Sequence, residues 1–159
     1  MENLVISFNQ SGTLHHAYFI VGDSSVLLLL NTFLEEQVKI KTRANSDFWH
    51  GKFATFTIDN ARSLASSQER KAFGENLEVT RDSTKGHNEG KKIFIIETDF
   101  ITEEAQNALL KVFEEPTAGT HFFIISPQDT LLPTLRSRVQ IIEFESSQIK
   151  KLESESILA

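Results

Sequence analysis

The sequence has no cysteine among its 159 residues, and only 3 prolines and 7 glycines. The absence of cysteine excludes disulfides, thiolate zinc sites and a cysteine nucleophile. A formal net charge of -6 argues against a free-standing nucleic-acid binder, which is usually basic, but it is compatible with a subunit of a larger complex. Apolar runs are too short to span a membrane, and "MENLVISFNQ" lacks the features of a signal peptide. We therefore expect a cytoplasmic protein with no membrane partner.

Predicted strands and helices alternate along the chain. The strands are expected at 15–23, 53–59, 92–98, 121–126 and 139–144, and the helices at 25–39, 60–73, 103–115 and around Pro133. Several of these strands are continuous apolar runs, as expected when helices cover both faces of a parallel sheet. The sequence therefore predicts an α/β domain over 1–145 with a doubly wound, mostly parallel five-stranded sheet.

The sequence also predicts where two helices are capped, how deeply a third is buried and where two loops lie. Asp59 is predicted to cap the helix at 60–73, and Thr102 the helix at 103–115. The run Val26 to Leu30 is apolar on nearly every side, so the first half of its helix is expected to be deeply buried. The polar stretch 77–91 is predicted to be a solvent-exposed connection, and 40–52 a loop.

The first strand-to-helix turn is where a phosphate-binding loop would lie in this architecture. Such a loop needs several glycines, a lysine that reaches the outer phosphates and a hydroxyl for magnesium. The turn here reads "VGDSSVLLLL", with one glycine, no lysine and an acid. We therefore expect no working P-loop and no bound cofactor.

The strand "KIFIIETDF" ends in polar residues, where magnesium-dependent nucleotide hydrolases hold their metal. Those enzymes usually have an aspartate and then a glutamate, but here the places hold Glu97 and Thr98. Thr98 cannot take a proton from water, so we interpret this stretch as a strand end leading to a helix cap. His15 and His16 are expected to point to opposite faces of a strand, so we predict no metal site there either.

From this strand onward the order of motifs is specific. "EEAQNALLKVFEEP", an apolar strand ending in serine, and "LLPTLRSR" resemble the AAA+ module of bacterial DNA polymerase III clamp-loader subunits. The delta prime type is most similar and the gamma/tau type next. The resemblance is strong over 91–144, moderate over 14–23 and 53–64, and weak between them.

The resemblance implies roles for particular residues. Ser137 and Arg138 match the Ser-Arg of the family's Ser-Arg-Cys motif, whose arginine acts as a finger in trans on ATP held by a neighbouring subunit. A guanidinium suits this role because it is always charged and grips two phosphate oxygens. Ser126 matches the sensor position, and the degenerate Walker B pair falls on Glu97 and Thr98.

The resemblance also implies partners and a mechanism. The expected protein is an ATPase-inactive stator that docks on gamma/tau and delta subunits and acts indirectly on the sliding clamp and primer-template DNA. The family's four-cysteine zinc module is missing, Val139 replaces the motif's cysteine, and the lid and collar domains are absent. Residues 146–159 are either the start of a lid or a disordered tail, and the chain is either a fragment or a reduced protein.

Two other functions stay open at this point. One is a diverged ATPase that binds nucleotide through a cryptic loop at 22–26. The other is a degenerate AAA+ interaction module that acts outside replication. Arg138 also has a simpler interpretation, in which Arg136 and Arg138 are solvated charges before an edge strand. In an extended segment the two arginines face opposite ways, so only one of them is expected to reach a partner.

Overall fold

The computed structural model describes residues 2–74 and 91–144, with side chains described in the first range as far as Gln68. The tail predicted at 146–159, and all but the last residue of the connection predicted at 77–91, lie outside these ranges. The elements are α1 (Glu2–Ser11), β1 (Ala17–Val21), α2 (Ser25–Glu36), β2 (Phe48–Phe56), α3 (Ile58–Gly74), β3 (Lys92–Ile101), α4 (Glu103–Glu114), β4 (Thr120–Ser126), α5 (Pro133–Arg136) and β5 (Gln140–Glu143).

The described strands form one five-stranded sheet in the order β2-β3-β4-β1-β5. Each paired strand is parallel to its neighbour, with registers such as Ala17↔Phe122 between β1 and β4. Parallel neighbours need crossover connections, and the helices supply them. The α/β sheet flanked by helices confirms the predicted fold class.

The hydrophobic core lies in two layers, one on each face of the sheet. Alternate residues of β3 divide between them: Ile93 and Ile95 pack with α1 and α2, whereas Phe94 and Ile96 pack with α3 and α4. The β3 strand is buried from residue 92 to residue 98 because both of its faces are covered. This explains why its sequence is a continuous apolar run.

Two elements differ from the sequence prediction. Helix α1 was not predicted, although its Leu4 is fully buried in the core. Strand β2 begins at Phe48 rather than at Phe53, because a segment of loop-like composition pairs with β3 through contacts such as Phe48↔Ile93. Its residues 49, 50, 52, 54 and 55 are exposed, since β2 is an edge strand, and its sequence therefore lacks the continuous apolar run that reveals β3.

The helix boundaries fit the expectations in part. Thr102 caps α4 as predicted, accepting a hydrogen bond from the Ala105 backbone N–H at 3.2 Å. Asp59 does not cap α3, which already begins at Ile58, and Asp59 lies exposed in its first turn.

The expectation that the first half of α2 is deeply buried is correct for one side of the helix only. Val26 and Leu30 are fully buried, but Leu28 is 73% exposed. Only one side of α2 packs against the sheet, so the prediction from its apolar composition overestimated how much of the helix is buried. Within the described ranges, no helix has the length and apolar content needed to cross a membrane.

Candidate functional site

The expected site residues divide between two edges of the sheet. Because the strands are parallel, their carboxyl ends meet at one edge and their amino ends at the other. Glu97, Thr98 and Ser126 lie towards the carboxyl edge, in the last parts of β3 and β4. Ser137 and Arg138 precede β5 and lie at the amino edge. The fold therefore separates the degenerate Walker B and sensor positions from the candidate arginine finger.

A small cleft of about 260 Å³ opens at the carboxyl edge. Three carboxylates, Asp23, Glu97 and Asp99, line it together with one lysine, Lys52. An acid-rich lining repels the phosphates of a nucleotide unless a bound cation offsets the charge. The electrostatics of this cleft therefore disfavour a phosphate ligand.

The turn between β1 and α2, which lines this cleft, packs closely against α2. Gly22 lies so close to α2 that a Cβ atom added there would stand 2.6 Å from Cγ2 of Val26. The Asp23 carboxylate accepts a hydrogen bond from the Ser25 backbone N–H at 2.9 Å and another from the Ser25 hydroxyl. These hydrogen bonds from Ser25 lower the pKa of Asp23. The Asp23 carboxylate thus occupies a backbone N–H at the start of α2 that would otherwise be available to a phosphate.

Glu97 is paired within the protein. Its side chain is 8% exposed, and its Oε2 lies 2.7 Å from Nε2 of His50 on the neighbouring strand. Lys52 is the register partner of Glu97 on the same strand β2. Sequence reasoning missed His50 because it had assigned residues 40–52 to a loop. The aromatic residues of "FWHGKFATF", a residue type enriched in strands, were the signal available.

The side-chain hydroxyls of Thr98 and Ser126 also face backbone carbonyls of the protein. The Thr98 hydroxyl donates to the Phe100 carbonyl at 2.9 Å, and the Ser126 hydroxyl lies 3.5 Å from the Asp99 carbonyl. Both residues are buried. Among the described residues, no group of three or more histidines and acids is arranged to hold a metal ion.

At the opposite edge, Arg138 is exposed on a turn between α5 and β5. Its side chain is 49% exposed, and its Nη2 lies 3.6 Å from Oε1 of Glu114 at the end of α4. Ser137 donates its hydroxyl to the Thr134 carbonyl at 2.7 Å. Arg136 forms a separate ion pair with Asp129. The two arginines therefore have different partners, but this is because α5 ends between them, not because the segment is extended.

Three histidines lie near the amino edge. His15 and His16 stand before β1, not within it as predicted, and their ring centroids are 4.1 Å apart. The expectation that they point to opposite faces of a strand is therefore wrong. Burial is the main cause that lowers the pKa of His16 and of His121, and nearby cationic groups add to it.

A larger groove, about 720 Å³, lies between α3 and α4 and contains Lys111. It includes neither Arg138 nor any of the Walker B and sensor positions. Although this groove is larger than the cleft at the carboxyl edge, it is not the site that the sequence motifs predict.

Comparisons with known proteins show the family of the chain. A family model described as DNA polymerase III, delta subunit, matches residues 1–148. The delta prime subunit of Escherichia coli DNA polymerase III is 30% identical over 156 residues, covering 88% of this chain and 45% of that protein. The Bacillus subtilis delta prime subunit is 39% identical over 77 residues, covering 47% and 23%. The chain thus spans less than half the length of these relatives.

Solved structures show the same fold. A DNA polymerase III gamma subunit-related protein from Thermotoga maritima aligns over 97% of this chain and 49% of its own, with a TM-score of 0.63 and 23% identity. The Bacillus subtilis clamp loader delta protein aligns over 91% and 42%, with a TM-score of 0.56 and 14% identity. Together with the match over residues 1–148, this fold means that the chain belongs to the DNA polymerase III delta subunit family and is similar to its delta prime members.

Proposed function

We propose that the protein is a delta prime-type clamp-loader subunit that does not hydrolyse ATP. In this role it is a stator that offers Arg138 in trans to ATP on a gamma/tau-type neighbour. The observation that carries the proposal is the exposure of Arg138 at the amino edge, at the opposite ends of the strands from the acid-lined cleft. An arginine that is remote from its own subunit's cleft is free to meet a neighbour's nucleotide.

The hydrogen bonds that the polar groups of the cleft make within the protein support the absence of hydrolysis. Asp23 occupies a donor at the start of α2, and Glu97 is bound by His50. Hydrolysis needs cradled phosphates, a metal and a positioned water. The side chains at this edge bind each other instead, so we infer that ATP is neither held nor cleaved here.

The chemistry of Arg138 supports the finger role. The only ion pair found for it within the described residues is with Glu114, at 3.6 Å and with both side chains over 40% exposed. Exposed ion pairs of this kind contribute about 0–1 kcal/mol. A triphosphate offers more charge and two oxygens to the guanidinium, so it displaces Glu114 at little cost.

Family membership supports the proposed partners. We propose that the chain binds gamma/tau and delta subunits in the cytoplasm and acts on the sliding clamp and primer-template DNA only through them. The chain spans 45% of the Escherichia coli relative, and the exposed edge around Arg138 is the surface through which we propose that it reaches these partners.

The decisive experiment measures ATP hydrolysis by an ATP-competent gamma/tau-type subunit with and without this protein. We expect the protein to stimulate hydrolysis. Arg138→Ala should lower the stimulated rate by a factor on the order of a thousand. Arg136→Ala is the matched control, since its partner is Asp129 and it lies outside the proposed contact. An unchanged rate with Arg138→Ala would contradict the finger role.

A further inference from the structure

The side chain of Gln106, on α4, is buried although it is polar, and the residue is only 3% exposed. Its Nε2 donates to the Ile101 carbonyl at 3.3 Å and to the Thr130 carbonyl at 3.1 Å. Its Oε1 accepts the Leu132 backbone N–H at 2.7 Å. Both N–H groups of the amide and its oxygen are therefore used. A buried polar group that is satisfied in this way makes the chain segments around it rigid.

The hydrogen bonds of Gln106 join three parts of the fold. Ile101 ends β3, whereas Thr130 and Leu132 lie in the connection that leads from β4 to α5. This connection has no regular secondary structure, so its position depends on contacts with other elements. Gln106 supplies two such contacts from the first half of α4 and ties the connection to the central strand at the same time.

Main-chain hydrogen bonds extend from the start of α5 to the turn that contains Arg138. Leu132 is the N-cap residue of α5. One helical turn later, the Ser137 N–H donates to the Pro133 carbonyl at 3.1 Å. The Arg138 N–H then donates to the Leu135 carbonyl at 2.9 Å. Because α5 has only four residues, a shift at its start also moves Arg138.

We infer that Gln106 is a positioning residue for Arg138. Its hydrogen bonds to Thr130 and Leu132 fix the start of α5, and α5 sets where the guanidinium is presented to a neighbour's nucleotide. This inference rests on the proposed function of Arg138. The exposed ion pair with Glu114 contributes little to the placement of the guanidinium, so the main chain must supply it. Small displacements of a catalytic group reduce the rate strongly.

The first experiment tests positioning without any partner, by amide hydrogen exchange at Leu132, Ser137 and Arg138. Gln106→Met keeps most of the side-chain volume but removes the amide. We expect it to speed exchange at all three amides about threefold to tenfold, because Leu132 loses its acceptor and α5 loses its fixed start. Thr102→Ala is the control: it removes the cap of the same helix, keeps the contact with the connection, and should leave these local openings unchanged.

A second pair of variants removes the same hydrogen bond from its other side, and it decides the question if Gln106→Met fails to fold. Leu132→Pro deletes the N–H that Gln106 accepts, and the φ of -63° at Leu132 suits a proline ring. Leu132→Ala loses the side chain but keeps the N–H, so it is the matched control. We expect faster exchange at Ser137 and Arg138 in the proline variant but not in the alanine variant.

The third experiment measures hydrolysis by the ATP-competent subunit over a range of concentrations of this protein. We expect Gln106→Met to lower the maximal stimulated kcat about tenfold with KM for ATP unchanged, because a finger acts in the transition state. Thr102→Ala should reach the full maximum, since a less stable protein only requires a higher concentration. In the Arg138→Ala background, Gln106→Met should have no further effect, because it acts through Arg138.

The outcomes separate the two ideas. If neither Gln106→Met nor Leu132→Pro changes exchange at Arg138, the positioning role is wrong whatever Arg138 does. If exchange rises but Arg138→Ala does not alter hydrolysis, the finger role fails while the placement of the turn by Gln106 stands. If Arg138→Ala lowers the stimulated rate and Gln106→Met keeps the full kcat, positioning by Gln106 is overturned.

Discussion

The hydrogen bond between His50 on β2 and Glu97 on β3 joins two residues that lie two register positions apart, towards the carboxyl edge. The Glu97 side chain is 8% exposed while that of His50 is 35% exposed, so the carboxylate depends on the imidazole for its hydrogen bond. A buried acceptor without a partner carries its full desolvation cost. At the scale of single residues, the Glu97 carboxylate is therefore part of the structural framework.

We expect His50→Ala to lower the free energy of unfolding by about 1–3 kcal/mol, because it leaves the buried Glu97 carboxylate unpaired. Urea unfolding measures this. Lys52→Ala on the same strand is the control, and as an exposed residue it should change stability by less than about 0.5 kcal/mol. Equal effects of the two substitutions would show that the pair has no structural role.

Asp23 is the second acid of the cleft that is hydrogen-bonded within the protein. We expect the protein to show no binding of a labelled ATP analogue below millimolar concentration, because Asp23 takes the Ser25 N–H and the acidic lining repels phosphate. Asp23→Asn, which reduces the charge and retains an acceptor, should not create tight binding, since lysine and glycines are still missing from the turn. Micromolar binding by the unaltered protein would favour a diverged nucleotide-binding function instead.

Among the elements, α4 links the two edges of the sheet. Its 12 residues extend about 18 Å, from Thr102 beside the end of β3 to Glu114 beside Arg138. Ala105, Leu109 and Phe113 bury one side of it against the sheet. The sequence predicted this helix and its cap because both are local: the apolar spacing and the Thr-Glu-Glu start lie within the element itself.

We expect Thr102→Ala to cost about 1 kcal/mol in the free energy of unfolding, since the side chain accepts the Ala105 N–H at 3.2 Å. Thr102→Ser keeps the hydroxyl and should retain most of that stability. Urea unfolding of the three proteins is the measurement. A loss in the serine variant as large as in the alanine variant would show that the hydroxyl does not provide the cap.

For the whole molecule, the half-buried histidines His16 and His121 of the amino edge couple folding to pH. The pKa of His16 and that of His121 are both lowered from 6.5, chiefly by burial. The unfolded chain therefore binds more protons than the folded chain as pH falls below 6.5. The stability that these two neutral rings contribute is complete above this pH and is lost as pH falls through their folded pKa values.

We accordingly expect the free energy of unfolding to decrease between about pH 7.5 and pH 5.5, before most carboxylates titrate. Urea unfolding at several pH values measures the slope. The double variant His16→Gln, His121→Gln should show a flatter slope over the same interval. Stability that rises on acidification in this interval would contradict the assignment.

The sequence by itself determined the alternation of strands and helices, the missing phosphate loop and the Ser137–Arg138 motif, because each is expressed within one element or turn. Only the tertiary structure decided that β2 extends back to Phe48, that His50 binds Glu97 and that Arg138 pairs with Glu114. These contacts join residues far apart in the chain, such as the 47 positions between His50 and Glu97, and local periodicity carries no information about them. The parallel sheet then set the cleft and Arg138 at opposite edges, as the proposed role of Arg138 at a neighbour's nucleotide requires.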